Sequence, residues 1–371
     1  MALQPREAAA SRIAITSVHS NRANMNNAVR AQHFPRAIRW GMIGCGNVTE
    51  VKSGPAFQRA ERSELVAVMR RNGDLAKDYA QRHGVKKWFD DADALIADSE
   101  VDAIYIATPP SSHKHYTLLC AQAGKPVYVE KPMALNHAEC LEMVAACERA
   151  GVPLFVAYYR RMLPRFLKIK TLIESGAIGE VRFVNTLFYR PLSPRDQPSV
   201  EHSNNWRTDP AQSGGGYFAD LASHSLNFLE YALGPIAEVA GFASNQAALY
   251  AAEDMVSSSF RFASGVQGTG NWCFTAYEKT DMTEIIGTLG KISYAYFDQS
   301  PVVLNTLQGV TNFQIANPTH IQQPLIQTIV DELLGVNNCV CPSHGESAAH
   351  TSWVMDQMLK DYYSTEKTLT A

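Results

Sequence analysis

Three short stretches of the chain carry residue types that could do chemistry together. Gly44-Cys45-Gly46-Asn47-Val48-Thr49 follows an apolar run and opens a helical pattern. In that context a glycine turn lets backbone N–H groups approach a pyrophosphate at the positive end of a helix. Gly44 permits the tight turn and Gly46 the close approach. Thr49 stands where a third Gly or an Ala is expected, which predicts looser packing of helix on strand. Glu130-Lys131-Pro132 ends another apolar run and puts an ammonium at a strand end; by itself such a residue reads as a surface lysine. Asp220 and His224, just after Ser213-Gly214-Gly215-Gly216, are four residues apart and share one helix face. A lone helix histidine is more often a satisfied packing residue than a reactive one.

A fourth stretch bears on the cofactor. An NAD site usually offers an Asp or Glu to the ribose hydroxyls at the end of the second strand, but here Arg70 and Arg71 occupy that place and the first acid is Asp74. A guanidinium can grip a 2′-phosphate bidentately, so the expectation is NADP in preference to NAD. The competing reading is a pair of solvated strand-end arginines.

These residues need elements to position them. From Ile38 onward, short apolar strands alternate with amphipathic helices, the rhythm of βαβ units. Strands are predicted at Ile38–Ile43, Leu65–Met69, Lys87–Phe89, Ala103–Ala107, Val127–Val129 and Leu154–Ala157, enough for a doubly wound sheet. Helices fall at Leu75–Arg82, Ala92–Ala97, His113–Ala123 and Ala138–Ala150, with Gly124 and Gly151 as C-caps of the last two. Gly54-Pro55 predicts a short or kinked first helix.

After Tyr158 the pattern changes. A basic helix over Arg160–Ser175 precedes a strand at Val181–Tyr189, and a helix begins near Tyr217. Strands follow at Ala237–Phe242, Met255–Phe262, Val266–Thr275, Thr283–Ile286 and Lys291–Tyr296, and helices at Leu325–Leu334 and Glu346–Tyr363. Short turns between successive strands imply an antiparallel sheet. The expected fold class is therefore α/β plus α+β: a Rossmann domain over residues 38–157, and a domain on a large, mostly antiparallel open sheet over 158–371.

With 371 residues, 46% hydrophobic and 19% charged, the chain has the composition of a globular enzyme of two domains. A net charge of −3 points to neither nucleic acid nor a membrane surface, and no apolar run approaches the roughly 18 residues of a span. The cysteines, Cys45, Cys120, Cys140, Cys147, Cys273, Cys339 and Cys341, lack metal-ligand spacing, so free thiols in a reducing compartment and no metal are expected. Residues 1–37 carry Arg6, Arg12, Arg22, Arg30 and Arg36 against Glu7 alone. That composition fits a flexible extension, a transit peptide, or an early start with Met25 as the true one. A cytoplasmic location is the expectation, with organelle targeting as the alternative.

The chain resembles the glucose-fructose oxidoreductase / inositol dehydrogenase / MocA-like family along nearly its whole length. The resemblance rests on Glu130-Lys131-Pro132 at the end of the fifth strand and on the pattern GGGxxxDxxxH, matched position for position by Gly214, Gly215, Gly216, Asp220 and His224. It implies an NAD(P)-dependent oxidoreductase moving hydride to or from a sugar, anhydrosugar, polyol or related cyclic alcohol. Lys131 would face the reacting carbon and stabilise a developing oxyanion. His224 would be the general acid/base, and Asp220 would orient His224 or bind a substrate hydroxyl.

The cofactor would be held by Gly44, Cys45, Gly46, Asn47, Val48, Arg70, Arg71, Thr108, Pro109, His113, Glu130, Lys131, Trp206 and Arg207, and the substrate by Tyr158, Arg160, Arg161, Asp220 and His224. Asn227 departs from a further Asp found in many relatives. The resemblance also implies a homodimer or homotetramer formed through the open sheet. Two competing functions share this fold, an NAD-dependent glycosidase and a non-catalytic dinucleotide-binding regulator. A pure regulator would be expected to have lost the Lys and His.

Overall fold

The computed structural model describes residues 34–196 and 205–369; the expectations for residues 1–33, including a start at Met25, lie outside them. Six parallel strands form the first sheet: β1 (Ile38–Ile43), β2 (Ser63–Met69), β3 (Lys87–Phe89), β4 (Ala103–Ile106), β5 (Val127–Val129) and β6 (Leu154–Val156). Their order is β3-β2-β1-β4-β5-β6, so the strand order reverses between β1 and β4. That reversal opens a crevice at the carboxyl ends of the strands, where ligands of such sheets bind. The core strands are apolar on both faces, as a sheet covered on both sides requires: no residue of β4 or β5 has measurable exposure.

The helices α1 (Gly54–Arg59), α2 (Gly73–His83), α3 (Ala92–Ala97), α4 (His113–Gln122) and α5 (His137–Ala150) cover this sheet. Asn72, Asp91 and Asn136 cap the N-termini of α2, α3 and α5, each accepting a backbone N–H three residues on. The glycine-turn helix begins with a π-helical turn over Thr49–Ser53 before α1. Thr49 does not loosen the packing, contrary to expectation. It is fully buried, its hydroxyl donates to the Gly46 carbonyl at 2.7 Å, and its own carbonyl accepts from Tyr79 at 2.9 Å. The position that tolerates no side chain is Gly54, where a Cβ would lie 2.2 Å from the Tyr79 hydroxyl.

The expected helix over Arg160–Ser175 is interrupted. Tyr159–Met162 is a 3₁₀ turn, Leu163 is extended at ψ 136°, and the α-helix α6 begins at Pro164 and ends at Glu174. Proline disfavours helical backbone at the residue before it, which explains the break. Arg160 and Arg161, adjacent on the 3₁₀ turn, point to different partners.

The second sheet has eight strands: β7 (Val181–Tyr189), β8 (Ile236–Ser244), β9 (Met255–Phe262), β10 (Gln267–Cys273), β11 (Thr280–Gly287), β12 (Gly290–Tyr294), β13 (Val302–Thr306) and β14 (Gly309–Phe313). All its pairings are antiparallel except β7 with β10. The final hairpin, β13 and β14, was not expected. It is an edge element whose outer strand is largely exposed, so it lacks the apolar alternation that marks a strand. The short helix α7 (Pro210–Ser213) leads into α8 (Tyr217–Leu233), beneath which Val256, Ser258, Phe260 and Phe262 of β9 are buried, while Ser259 and Arg261 face outward. After α9 (Gln323–Leu333), the last helix, α10 (Gly345–Leu369), packs on both α5 and β8 and so ties the halves together. No described helix is long and apolar enough to cross a membrane, and all seven cysteines are unpaired.

Candidate active site

The site forms where the end of β5 meets α8. Glu130 continues β5 into a buried polar network. Its Oε1 accepts from Tyr105 and from Gln322 Nε2, each at 2.6 Å, and its Oε2 accepts from the Lys131 backbone N–H at 3.1 Å. Tyr128 donates to Gln322 Oε1 at 2.8 Å. A buried carboxylate is stable only when hydrogen-bonded, and these three donors satisfy it while fixing where Lys131 leaves the sheet. Gln322 lies just before α9, and its own N–H contacts the Lys52 carbonyl on the π-helical turn. Glutamate and glutamine thus join the glycine-turn helix, the strand that carries Lys131 and the C-terminal half.

Lys131 reaches across to α8. Its Nζ donates to Asp220 Oδ1 at 2.6 Å and to the Asp220 carbonyl at 2.9 Å, and Arg207 Nε meets Asp220 Oδ2 at 3.0 Å. Burial alone would raise the Asp220 pKa, but the two cations outweigh it and hold the carboxylate at about 2. The glycine run is what lets α8 approach: a Cβ on Gly214, at φ +78°, would sit 2.2 Å from the Leu135 carbonyl. Asp220 does not orient His224; both its oxygens are taken by Lys131 and Arg207.

His224 lies one turn further along α8 in an aromatic cup, only 4% exposed. Its ring packs edge-on against Tyr159 at 5.2 Å and against Tyr158 and Phe297, each at 6.2 Å, and its Nδ1 has no hydrogen-bond partner. Burial, followed by the positive charges of Arg160, Lys131 and Lys52, pushes its pKa well below the ordinary value, so the imidazole is neutral. A neutral ring beside an ammonium can accept a proton from a hydroxyl while the ammonium steadies the oxygen left behind.

The remaining expected substrate residues divide. Arg160 lies in the cup, its guanidinium 4.7 Å from the Phe297 centroid and 5.2 Å from that of Tyr159. Arg161 does not belong to it. It is buried against Asn227 Oδ1 at 2.6 Å, the Asn227 carbonyl, the Ser347 hydroxyl and the Pro342 carbonyl, a set that leaves nothing for a substrate. Tyr158 presents its ring edge to His224, but its hydroxyl is sealed without a partner, among the core residues behind β6. Tyr159 is the tyrosine whose hydroxyl accepts from Arg160, at 3.1 Å.

At the cofactor end, Gly44 adopts φ +92° and passes so close to β4 that a Cβ would lie 2.7 Å from the Thr108 methyl; a Cβ on Gly46 would meet only the Gly44 carbonyl at 3.8 Å. The segment Gly46-Asn47-Val48 therefore presents the unpaired N–H groups of a helix start beside an open face, which fits a dinucleotide pyrophosphate. Cys45 is buried, and burial pushes its thiol up to about 11, so it acts as packing. Arg70 reaches the Cys45 carbonyl at 3.5 Å from the end of β2, and both Arg70 and Arg71 are exposed. Trp206 carries the Arg207 guanidinium over its ring at 4.3 Å.

His113 is fully buried, with Nε2 on the Thr108 carbonyl at 2.7 Å and Nδ1 on the Pro132 and Met133 carbonyls at 3.0 and 3.2 Å. It staples the loop carrying Thr108-Pro109 to the one carrying Lys131, with neither ring nitrogen left for a ligand. Among the described residues, no group of three or more His, Cys, Asp or Glu is placed to hold a metal ion.

A crevice at the switch point of a six-strand parallel sheet, facing a lysine–aspartate–arginine cluster and a neutral histidine, defines a nicotinamide-dependent oxidoreductase acting on hydroxyl-bearing carbon. Residues 38–158 match the model of an oxidoreductase family with an NAD-binding Rossmann fold, and residues 166–293 match that of a GFO/IDH/MocA C-terminal domain. The chain belongs to the Gfo/Idh/MocA oxidoreductase family. It is 41% identical over 321 residues to Oxidoreductase P35 of Formosa agariphila, covering 86% of this chain and 97% of the relative. It is 30% identical to the 1,5-anhydro-D-fructose reductase of Ensifer adhaerens, over 73% of this chain and 80% of that one. In fold it is similar to the aldose-aldose oxidoreductase of Caulobacter crescentus complexed with glycerol, with a TM-score of 0.77 and 24% identity over 88% of this chain and 97% of the other.

Proposed function

We propose that the protein transfers hydride between NADP, favoured over NAD, and a sugar, anhydrosugar or polyol, with residues 38–157 as the cofactor domain and 158–371 as the substrate and oligomerisation domain. The observation that carries this reading is the pairing of a charged Lys131–Asp220–Arg207 cluster with a neutral His224 one helix turn away. The cofactor supplies or accepts the hydride. Lys131 stabilises charge on the substrate oxygen, and His224 takes the hydroxyl proton or returns it. Asp220 holds Lys131 in place and lowers the cost of burying its charge. The reductase acting on 1,5-anhydro-D-fructose among the relatives supports the substrate class.

Arg70 supports the NADP preference, because it is exposed at the end of β2 and leans toward the glycine turn. Titrating NADPH and NADH into wild type and Arg70→Ala, followed by tryptophan fluorescence, tests it. A loss of about tenfold in NADPH affinity with NADH unaffected is expected, the worth of one charge-assisted contact. Equal loss for both would remove the phosphate grip.

The outward face of the second sheet exposes Phe183, Phe242 and Met282 to 46%, 82% and 37%. Large apolar side chains left exposed on this face, among polar ones such as Asn185, Ser259 and Thr269, call for cover, which supports a homodimer or homotetramer. Light scattering of wild type and Phe242→Lys checks it: the assembly should dissociate in the variant.

A further inference from the structure

Among the described residues three arginines are nearly fully buried, all on the turn and helix that follow Tyr158: Arg160, Arg161 and Arg165. Arg161 is saturated by Asn227, Pro342 and Ser347. Arg165 donates to the carbonyls of Asp298, Ala295 and Ser300 at 2.6, 3.0 and 3.1 Å. Arg160 is different. Its Nε donates to the Tyr296 carbonyl at 3.3 Å and its Nη1 to the Tyr159 hydroxyl at 3.1 Å. Its Nη2 makes no hydrogen bond, yet is not among the atoms sealed from solvent. Among the described residues no carboxylate lies within ion-pair distance of it, although the residue is only 7% exposed.

The place of this cation matters as much as its lack of a counter-charge. Phe297 and Tyr159, the rings on which the guanidinium rests, are the rings that wall His224. The nearby carboxylates are already engaged, that of Asp281 by the backbone N–H groups of Tyr296, Phe297 and Asp298. Lys131 and Lys52 are positive, and the Asp220 carboxylate is already shared between Lys131 and Arg207. Burying a cation without compensation is costly, so a structure that keeps one beside its reacting groups gains when a ligand brings the missing anion.

We propose that Arg160 is a substrate-binding residue that takes a carboxylate, so that the substrate is an acidic sugar or polyol, an aldonic or uronic acid, and not its neutral counterpart. A carboxylate suits the geometry better than a phosphate. With two of its five N–H donors engaged, the guanidinium has three left, enough for the two parallel bonds a carboxylate takes but short of the multidentate grip phosphate sites build. The proposal rests on the oxidoreductase reading of the site, and its test separates the two.

The experiment uses the full chain loaded with cofactor and a panel of small aldonic and uronic acids, each paired with the aldose or alditol that lacks only the charge. Equilibrium binding is read by calorimetry and hydride transfer by absorbance at the reduced-nicotinamide band. At least one acid is expected to bind tenfold or more tightly than its neutral partner. That ratio should fall toward one in Arg160→Met and be largely kept in Arg160→Lys, which retains the charge and guards against a folding defect. If no acid outbinds its neutral partner, or if the ratio survives Arg160→Met, the carboxylate assignment is wrong. Charge-selective binding without hydride transfer for any pair would keep the assignment and overturn the oxidoreductase reading instead.

Discussion

Asp220 and His224 stand one turn apart on α8 and are both nearly withdrawn from water, yet their surroundings pin them in opposite states. Asp220 has a cation on each oxygen and stays ionised down to about pH 2. His224 has aromatic edges, an unpartnered Nδ1 and the positive charges of Arg160, Lys131 and Lys52 acting on it, and stays neutral well below its ordinary value. Burial penalises both charged forms equally in kind; the partners decide which one survives. One helix can therefore present a fixed anion that holds a lysine and, a turn later, an empty base.

The largest expected effect comes from removing the base. His224→Gln should lower kcat by about 10²–10⁴-fold, the usual worth of a positioned proton acceptor, with cofactor affinity unchanged; steady-state kinetics with parallel cofactor titration measures this. If kcat were retained, His224 would be a packing residue after all. Lys131→Met removes the other half of the pair and should cost about 10²–10³-fold in kcat, like the loss of one oxyanion donor. It should also free Asp220 from half its compensation, so the variant's Asp220 would titrate at a higher pH and add a new acidic limb to the kcat profile.

A smaller effect probes what holds Lys131. Gln322→Leu leaves Glu130 Oε1 and the Tyr128 hydroxyl each short of a partner. It should cost about 1–3 kcal/mol of stability in denaturant titration, the price of unmet buried polar groups. Unaltered stability would mean that water replaces the amide.

The smallest effect is a slope. Because the folded-state pKa of His224 is depressed, the unfolded chain binds more protons between that value and about 6.5, and stability falls as pH drops through this window. The contribution is at most about 1.4 kcal/mol per pH unit, is absent above that window, and should vanish in His224→Gln. Thermal melts across the window, wild type against variant, read it directly.

Much of this was legible in the sequence, and for physical reasons. The parallel half announces itself through uninterrupted apolar runs and C-cap glycines such as Gly124 and Gly151, at φ +68° and +67°. The pairing of Lys131 with the Asp220–His224 helix followed from a motif. What spacing could not reveal was who sits across from each side chain. Positions four apart share a helix face, but whether Asp220 turns to His224 or to Lys131 depends on a strand 89 residues away. Gln322 meets Glu130 across 192 residues, with no local signal. His113 and Arg161 were read as ligand contacts from the family resemblance, whereas carbonyls in the fold consume the first, and carbonyls with the Asn227 and Ser347 side chains the second. The break at Leu163 was signalled by Pro164 and still missed, and it leaves Arg160 and Arg161 together on a 3₁₀ turn outside the helix.

The most direct test of the contrast between the two α8 residues is histidine-selective NMR of the protein across pH 4.5 to 8, with the His224 resonance assigned by its loss in His224→Gln. The structure predicts that this imidazole stays neutral through pH 6.5 and well below it while exposed histidines titrate. A His224 that gains its proton at or above pH 6.5 would contradict the account, because the base at the centre of the site would then be occupied before substrate arrived.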